Sequence, residues 1–449
     1  MRPVAVLIVA AFIAASCSTI RDEPAQEPTE PPSRPNVLII VTDDQRASGT
    51  MNQAMPKTVR HFGDGGTRFT QAFATTPLCC PSRASIFSGR YAHRHGVLTN
   101  QFTRELDTDT TMQAALQADG YRTAITGKYL NRWPKDLDPP HFDDWAIMLQ
   151  GYYYDAEFNV GGTRRMIDGY TNHFIEDQAL EFLDGFEQRD QQPWMLYIGA
   201  TPPHSPYEAE PKYRGVSVPR YVPSPAVKET NLSDKPDLGP SKRTDFRKIR
   251  RKQLRTLLSV DDMVDQLMKK LAALDEDRDT IAFFLGDNGQ MWGEHGYTAK
   301  RYPYTASIKI PFYVRWPGQV EAGARDRRLV ANIDIAPTVL DLAGLLEPEA
   351  VDGRSLFSEE PRERLLLEHW ADNEAPVPEW VSLLTPEHQY TEYYRAGGGL
   401  LAREYYDRAS DPWQLRNLLG DRRKANDPDV RALATELDEL HGCEDSSCP

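Results

Sequence analysis

Four apolar runs, Val37 to Val41, Tyr121 to Ile125, Pro193 to Gly199 and Thr280 to Leu285, constrain what this chain can fold into more than any other feature. Each is short, and each is followed by polar groups: Asp43 and Asp44, Lys128, His204, and Asp287 with Asn288. Continuous apolar runs of this length are the pattern of strands buried on both faces of a parallel sheet. Helical segments fall between them, at Thr111 to Ala118 before Gly120, at Phe174 to Phe186 and at Gln253 to Leu274, so strand and helix alternate. That order predicts a wrapped α/β sheet. In such sheets ligands bind outside the carboxyl ends of the strands, so the polar groups that follow the four runs are expected to meet at one edge.

At 449 residues the chain is longer than a single core of ~250 to 300 residues, which predicts a large domain with a smaller companion. Acidic residues outnumber basic ones 66 to 52, for a net charge of -14. That balance excludes general affinity for nucleic acid or an anionic membrane, so an anionic substrate requires a locally basic site. Residues Met1 to Cys17 hold one early Arg, an apolar run from Val4 to Ala15 and small residues before Cys17. This is the pattern of an export signal, too short for a ~20-residue membrane span. Ala14-Ala15-Ser16-Cys17 resembles a bacterial lipoprotein cleavage box, which makes the protein a cell-envelope lipoprotein touching the membrane only through a lipid at Cys17. Secretion after plain signal cleavage is the alternative. Five prolines between Pro24 and Pro35 make residues 18–34 an extended tether, with folded structure expected from Pro35. Export also predicts a Cys443 to Cys448 disulfide, leaving the adjacent Cys79 and Cys80 without partners.

The segment from Cys79 to Arg90 contains Cys79-Cys80-Pro81-Ser82-Arg83 and Ser88-Gly89-Arg90. Pro81 suits the first position of a helix, which places Cys79 just before a helix N-terminus, where free N–H groups and positive potential favour an anion. Arg83, one turn on, offers a bidentate fork. Asp43, Asp44, Asp287 and Asn288 present only oxygen ligands, the donor set of a hard cation such as Ca²⁺ or Mg²⁺ rather than zinc. Three crowded carboxylates without such an ion would repel one another.

Cys79-x-Pro81-Ser82-Arg83 with Ser88-Gly89-Arg90 resembles the signature of the type I sulfatases. The resemblance extends through Thr42-Asp43-Asp44-Gln45, Gly127-Lys128-Tyr129-Leu130-Asn131, Thr201-Pro202-Pro203-His204-Ser205-Pro206-Tyr207, Gly286-Asp287-Asn288-Gly289, Glu404-Tyr405-Tyr406-Asp407 and Asp411-Pro412. The Cys-Cys-Pro-Ser-Arg and Gly-Lys-Tyr-Leu-Asn versions are most similar to the N-acetylglucosamine-6-sulfatase branch and its bacterial relatives. The resemblance implies an alkaline phosphatase-like fold, a large mixed and mostly parallel sheet flanked by helices, with a catalytic domain over 35–357 and a smaller C-terminal α+β subdomain over 358–449. It implies that a formylglycine-generating enzyme converts Cys79 to formylglycine. It also implies that Asp43, Asp44, Asp287, Asn288 and residue 79 hold Ca²⁺, with Mg²⁺ possible. Arg83, Lys128 and Lys300 then bind the sulfate, and His204 protonates the leaving alcohol of a sulfated sugar or other small sulfated molecule.

The family often carries a His two residues after its lysine, where this chain has Leu130 followed by Asn131; Asn131 can orient a hydrate but cannot take its proton. His93 and His95 either line the site or serve as turn residues. The basic stretch from Lys242 to Arg255 is read as the solvated start of the long helix rather than a polysaccharide site, and Tyr152, Tyr153 and Tyr154 either stack on a sugar or pack. A phosphonate or phosphate ester hydrolase of the same superfold and a non-catalytic glycan-binding relative remain as alternatives.

Overall fold

The computed structural model describes residues 34–189, 191–238, 246–347 and 350–443. The export segment with Cys17, the tether before residue 34, Lys242 and Arg243, and Cys448 with its expected bridge lie outside the described residues.

Ten strands form one sheet. In chain order they are β1 Asn36–Thr42, β2 Thr67–Phe73, β3 Arg122–Gly127, β4 Asp144–Gln150, β5 Tyr154–Val160, β6 Thr163–Tyr170, β7 Trp194–Ala200, β8 Thr280–Gly286, β11 Phe312–Arg315 and β12 Arg325–Ala331. The short pair β9 Met291–Trp292 and β10 Thr298–Ala299 makes a separate ribbon. The order in space is β12-β2-β11-β8-β1-β7-β3-β4-β5-β6. The four apolar runs are the contiguous block β8-β1-β7-β3, all parallel. Antiparallel pairings occur toward the two sides, where β11 meets β8 and β2, and where β4, β5 and β6 form successive hairpins. The sheet is therefore mixed, with a parallel centre.

The central strands read as unbroken apolar runs because both of their faces are covered. Val37, Ile39 and Val41 of β1 belong to one core cluster, whereas Leu38 and Ile40 belong to the other. The long helix Phe246–Ala273 covers the second face with Leu254, Leu257, Val260, Val264, Leu267 and Leu271, spaced three or four residues apart. Beside it lies the helix Thr171–Glu187, through Ile175, Ala179, Leu183 and Phe186. The helices Cys79–Ser88, Met112–Ala118 and Ile335–Leu342 contribute to the first face.

Two details differ from the sequence reading. The helix of the cysteine segment begins at Cys79, with Leu78 as its N-cap, so Pro81 is its third residue rather than its first. Proline is tolerated there because the first four N–H groups of a helix lack an intrahelical acceptor in any case. The basic stretch is only partly solvated. Arg250 is buried; its guanidinium donates to Pro219 O at 2.8 Å and lies 5.5 Å from the Tyr221 ring, pinning the loop that follows β7.

A second sheet follows the first in the chain. Strands β13 Leu365–His369, β14 Glu379–Leu384, β15 His388–Tyr394 and β16 Leu400–Asp407 pair antiparallel in that order. Its core gathers Trp380, Tyr390, Tyr393 and Tyr406 around the buried Glu404, which accepts from Tyr304 at 3.0 Å and Tyr406 at 2.6 Å.

Candidate active site

Four chain turns at the carboxyl edge of the parallel block build the site. Strand β1 delivers Asp43 and Asp44, the latter in a left-handed conformation at φ 66°. Strand β8 delivers Asp287 and Asn288. Strand β3 delivers Lys128 through Gly127, and here glycine is required: a Cβ on Gly127 would lie 2.2 Å from Gly199 O, and one on Gly199 would lie 2.1 Å from Lys128 O. This close approach lets Lys128 N donate to Gly199 O at 2.8 Å and fixes where its side chain leaves the sheet. The turn after β7 supplies His204, and β10 leads into Lys300. The N-terminal turn of helix Cys79–Ser88 closes the pit from one side and brings Cys79, Ser82 and Arg83.

Cys79 is 1% exposed. Its Sγ lies 3.3 Å from Asp43 Oδ1, 4.0 Å from Asp44 Oδ1 and 2.7 Å from Lys300 Nζ. Lys128 pairs with Asp43, and Lys300 pairs with Asp44. Arg83 Nε donates to Asp287 Oδ2 at 2.9 Å, and Nη1 donates to Lys128 O at 2.9 Å and Tyr197 OH at 3.3 Å. Asp287 Oδ1 accepts the backbone N–H groups of Asp44 at 2.9 Å and Asn288 at 2.8 Å, while Ser82 Oγ donates to Asp287 O. His204 stands at the mouth with Nε2 3.8 Å from Asp44 Oδ2 and Nδ1 on Ser205 O at 2.7 Å. The nine residues given catalytic or metal-binding roles in the sequence analysis, Asp43, Asp44, Cys79, Arg83, Lys128, His204, Asp287, Asn288 and Lys300, thus surround one pit.

Oxygen atoms of Asp43, Asp44 and Asp287 lie within 4.8 Å of one another. Asn288 Nδ2 is used on Asp44 Oδ1 at 2.8 Å and Gly289 O at 2.9 Å, which leaves its buried Oδ1 without a donor. An orphaned carbonyl oxygen beside three carboxylates fits a hard divalent cation. The charge balance agrees. Burial opposes ionisation of Asp43, but the ammonium of Lys128, with His204 and Arg83, holds its carboxyl far below the usual range. Asp287 is pushed the other way, up to about 6, by burial and by the Asp43 carboxylate in spite of Arg83. Burial and the carboxylate of Asp43 also raise the Cys79 thiol well above its ordinary range.

His93 and His95 do not line the pit. His95 is buried between Ser85 Oγ, 3.1 Å away, and the Val97 N–H at 3.1 Å, and His93 bonds Glu368 at 2.8 Å. Asn131 donates its backbone N–H to Cys80 Sγ at 2.9 Å. The three tyrosines separate in role. Tyr152 stacks on the His204 ring at 5.4 Å with an interplanar angle of 7°, Tyr153 OH donates to His204 O at 2.5 Å, and Tyr154 OH accepts from Arg214 at 3.1 Å. Sequence reasoning missed Tyr197, Ser82 and the Tyr152 stack. For Tyr197 the only available signal was a polar-tipped residue inside an otherwise apolar run; the other two contacts depend on how separate turns are placed.

Comparison with known proteins is decisive for the family. The family model described as Sulfatase matches residues 35–345, and that described as N-sulphoglucosamine sulphohydrolase, C-terminal, matches residues 293–441. The chain belongs to the sulfatase family. N-acetylglucosamine-6-sulfatase of Homo sapiens is 32% identical over 363 residues, 72% of this chain and 64% of that protein. N-acetylglucosamine-6-O-sulfatase of Bacteroides thetaiotaomicron is 26% identical over 500 residues, 92% of this chain and 86% of that protein. The chain spans 32% of the length of the Extracellular sulfatase SULF-1 homolog of Drosophila melanogaster and 64% of the human protein, less than two thirds of either. A structure solved in complex with its substrate D-glucosamine-2-N,6-O-disulfate matches with a TM-score of 0.77 at 24% identity, over 91% of this chain and 98% of that chain. A phosphonate monoester hydrolase of Agrobacterium radiobacter has a TM-score of 0.69 at 20% identity, over 90% and 94%. These structural likenesses establish the sulfatase-type fold, with its mixed large sheet and small antiparallel sheet. Among the described residues no helix is long and apolar enough to cross a membrane.

Proposed function

We propose that this sulfatase hydrolyses the sulfate ester of a sulfated sugar, with residue 79 as formylglycine and a Ca²⁺ or Mg²⁺ ion on Asp43, Asp44, Asp287 and Asn288. The observation that carries the reading is the position of Cys79 Sγ, 3.3 Å from Asp43 and 2.7 Å from Lys300 inside a buried pit of acids and bases. The relatives named as N-acetylglucosamine-6-sulfatases support a sugar substrate. The export pattern and the relative named as an extracellular sulfatase support action outside the cytoplasm, with a lipid anchor at Cys17 as one form of attachment.

When bound, the cation supplies a Lewis acid for a sulfate oxygen, and formylglycine supplies an oxygen nucleophile. The chain's own side chains do the rest. Lys128, Lys300 and Arg83 present three cations to a trianionic pit and hold a sulfate group where negative charge builds up. They are fixed in advance by Asp43, Asp44 and Asp287, so little reorganisation accompanies the reaction. His204 keeps Nδ1 on Ser205 O, which leaves Nε2 facing the pit to give a proton to the departing alcohol. The Tyr152 ring stacks on that imidazole, and the Tyr153 hydroxyl anchors the His204 backbone carbonyl.

Mass spectrometry of the peptide containing residues 79 and 80, beside turnover of a sugar sulfate and of the matching phosphate ester, tests the reading. Only Cys79 has Pro and Arg at the spacing of the signature, so Cys79 alone should be converted, Cys79→Ser should be inactive and Cys80→Thr should stay active. Fully active protein with an unmodified Cys79 would overturn the nucleophile. Preference for a phosphonate or phosphate ester would favour the hydrolase seen among the structural neighbours instead.

A further inference from the structure

A second cleft lies apart from the pit at Cys79. It has a volume of about 460 Å³ and is walled by the loop after β1, by β2, by the segment before β11 and by the turn after β16. Arg46, Arg68, Glu294, Lys309, Trp413 and Gln414 line it, and none of the residues placed in the active site does. The size is within the range of small-molecule sites.

Arg46, Arg68 and Lys309 face a single carboxylate here. The one carboxylate among the lining residues, Glu294, is used by Arg46 at 3.0 Å and by the Trp292 N–H at 2.6 Å. Among the described residues, the Lys309 ammonium and the Arg68 guanidinium have no carboxylate partner. Lys309 instead lies 5.7 Å from the Phe73 ring, and Arg68 lies 5.8 Å from the Tyr313 ring. Behind the lining, the Arg408 guanidinium lies 5.1 Å from the same Phe73 ring, with its arms on Gln71 Oε1 at 2.9 Å and on Thr385 O and no carboxylate partner among the described residues. Burial, and repulsion by Arg408 and Arg68, push the Lys309 ammonium down to about 8. In a chain of net charge -14, a cluster of unpaired, partly buried cations is held at a cost that an anionic ligand relieves. At the rim, Trp413 is 43% exposed and presents a large flat ring beside Pro412. Gln414, by contrast, is buried, with its amide used on Thr305 N at 2.7 Å and Gln389 at 3.1 Å, so the wall behind the ring is rigid.

We propose that this cleft is a binding site for an anionic sugar residue, whose sulfate or carboxylate is held by Arg68 and Lys309 while its ring stacks on Trp413. A site of this kind would retain a polymer on the protein between turnovers. The binding claim stands independently of the reaction assigned to residue 79.

The test is a fluorescence titration of the full chain, taking as signal the quench that Trp413→Phe abolishes. The titrants are a chemically sulfated cellohexaose, its unsulfated parent and sodium sulfate. The sulfated hexasaccharide should give a saturating Trp413-dependent quench. Arg68→Gln with Lys309→Gln should weaken it at least tenfold and leave kcat and KM on 4-nitrophenyl sulfate unchanged. Lys309→Gln should melt at the same temperature or higher, since it removes a repelled charge. A fall of several degrees would assign Lys309 a structural role and overturn the site. Undiminished affinity in the double variant would overturn it as well. Equal quenching by the unsulfated parent, or displacement by sodium sulfate at the same concentration as the hexasaccharide, would overturn the assignment to an anionic sugar.

Discussion

Arg83 and Asp287 form an ion pair at 2.9 Å in which neither side chain is exposed at all. Each is also the other's route into the rest of the site. Arg83 reaches the Lys128 carbonyl, and Asp287 accepts the N–H groups of Asp44 and Asn288. Removing one partner strands a buried charge, a change that costs ~3 to 5 kcal/mol. Arg83→Ala should lose about that much stability in urea denaturation, and adding Asp287→Asn to it should recover part of the loss. A double-mutant cycle with no coupling would show that the pair does not act as a unit.

Chelation should abolish turnover without unfolding the chain, because Lys128 and Lys300 already pair with Asp43 and Asp44. Ca²⁺ or Mg²⁺ should restore activity and also raise stability, by ~2.7 kcal/mol when the ion is at a hundred times its Kd. Restoration by Zn²⁺ alone would contradict the oxygen-only donor set.

His204→Ala should separate substrates by leaving group. A positioned general acid contributes ~10² to 10⁴ in rate, and the loss should approach that range for alkyl sulfates but stay small for activated aryl sulfates. Tyr152→Ala should show the same selectivity in weaker form, since it removes only the ring that stacks on the imidazole. Equal losses on both substrate types would remove His204 from the acid role.

The acid limb of stability should depend on His369. It is buried against Trp380, neither ring nitrogen has a partner among the described residues, and burial, with Arg301 nearby, pushes it down to about 3. A histidine whose folded value is depressed costs nothing at high pH. Its penalty appears as pH falls below the unfolded value of ~6.5 and grows until the folded value is reached. At pH 5 it amounts to ~2 kcal/mol. Urea midpoints of the wild type and His369→Leu should therefore converge or reverse between pH 8 and pH 5, with the variant losing less over that interval. Parallel losses would place the acid sensitivity elsewhere.

The central block of the fold was legible because burial on both faces leaves β1, β3, β7 and β8 as plain apolar runs. The same logic explains what was not. Strand β6, Thr163–Tyr170, is mostly exposed and carries Arg164, Arg165 and Asp168, so it has no apolar signature and its existence depends on pairing with β5. The helix start at Cys79 was misplaced by two residues because a proline is compatible with any position in the first turn. Asp43, Asp44, Lys128, His204, Asp287 and Asn288 could be assigned to one edge since each follows a strand directly. Arg83 was legible from its place one turn into the helix at Cys79, Lys300 needed the resemblance, and Tyr197 and Ser82 escaped both approaches, because a contact between two turns is set by tertiary placement.

The spatial order β8-β1-β7-β3 has a consequence for synthesis. Strand β1 leaves the ribosome first yet sits between β7 and β8, and Asp44 waits across 243 residues for the carboxylate that caps its own N–H. A nascent chain that has released β1, β3 and β7 can already join Lys128 to Asp43. Arg83, however, would lie beneath the sheet edge with its counter-charge still untranslated. Until β8 arrives, the helix Cys79–Ser88 lacks the one carboxylate that pairs with Arg83 among the described residues.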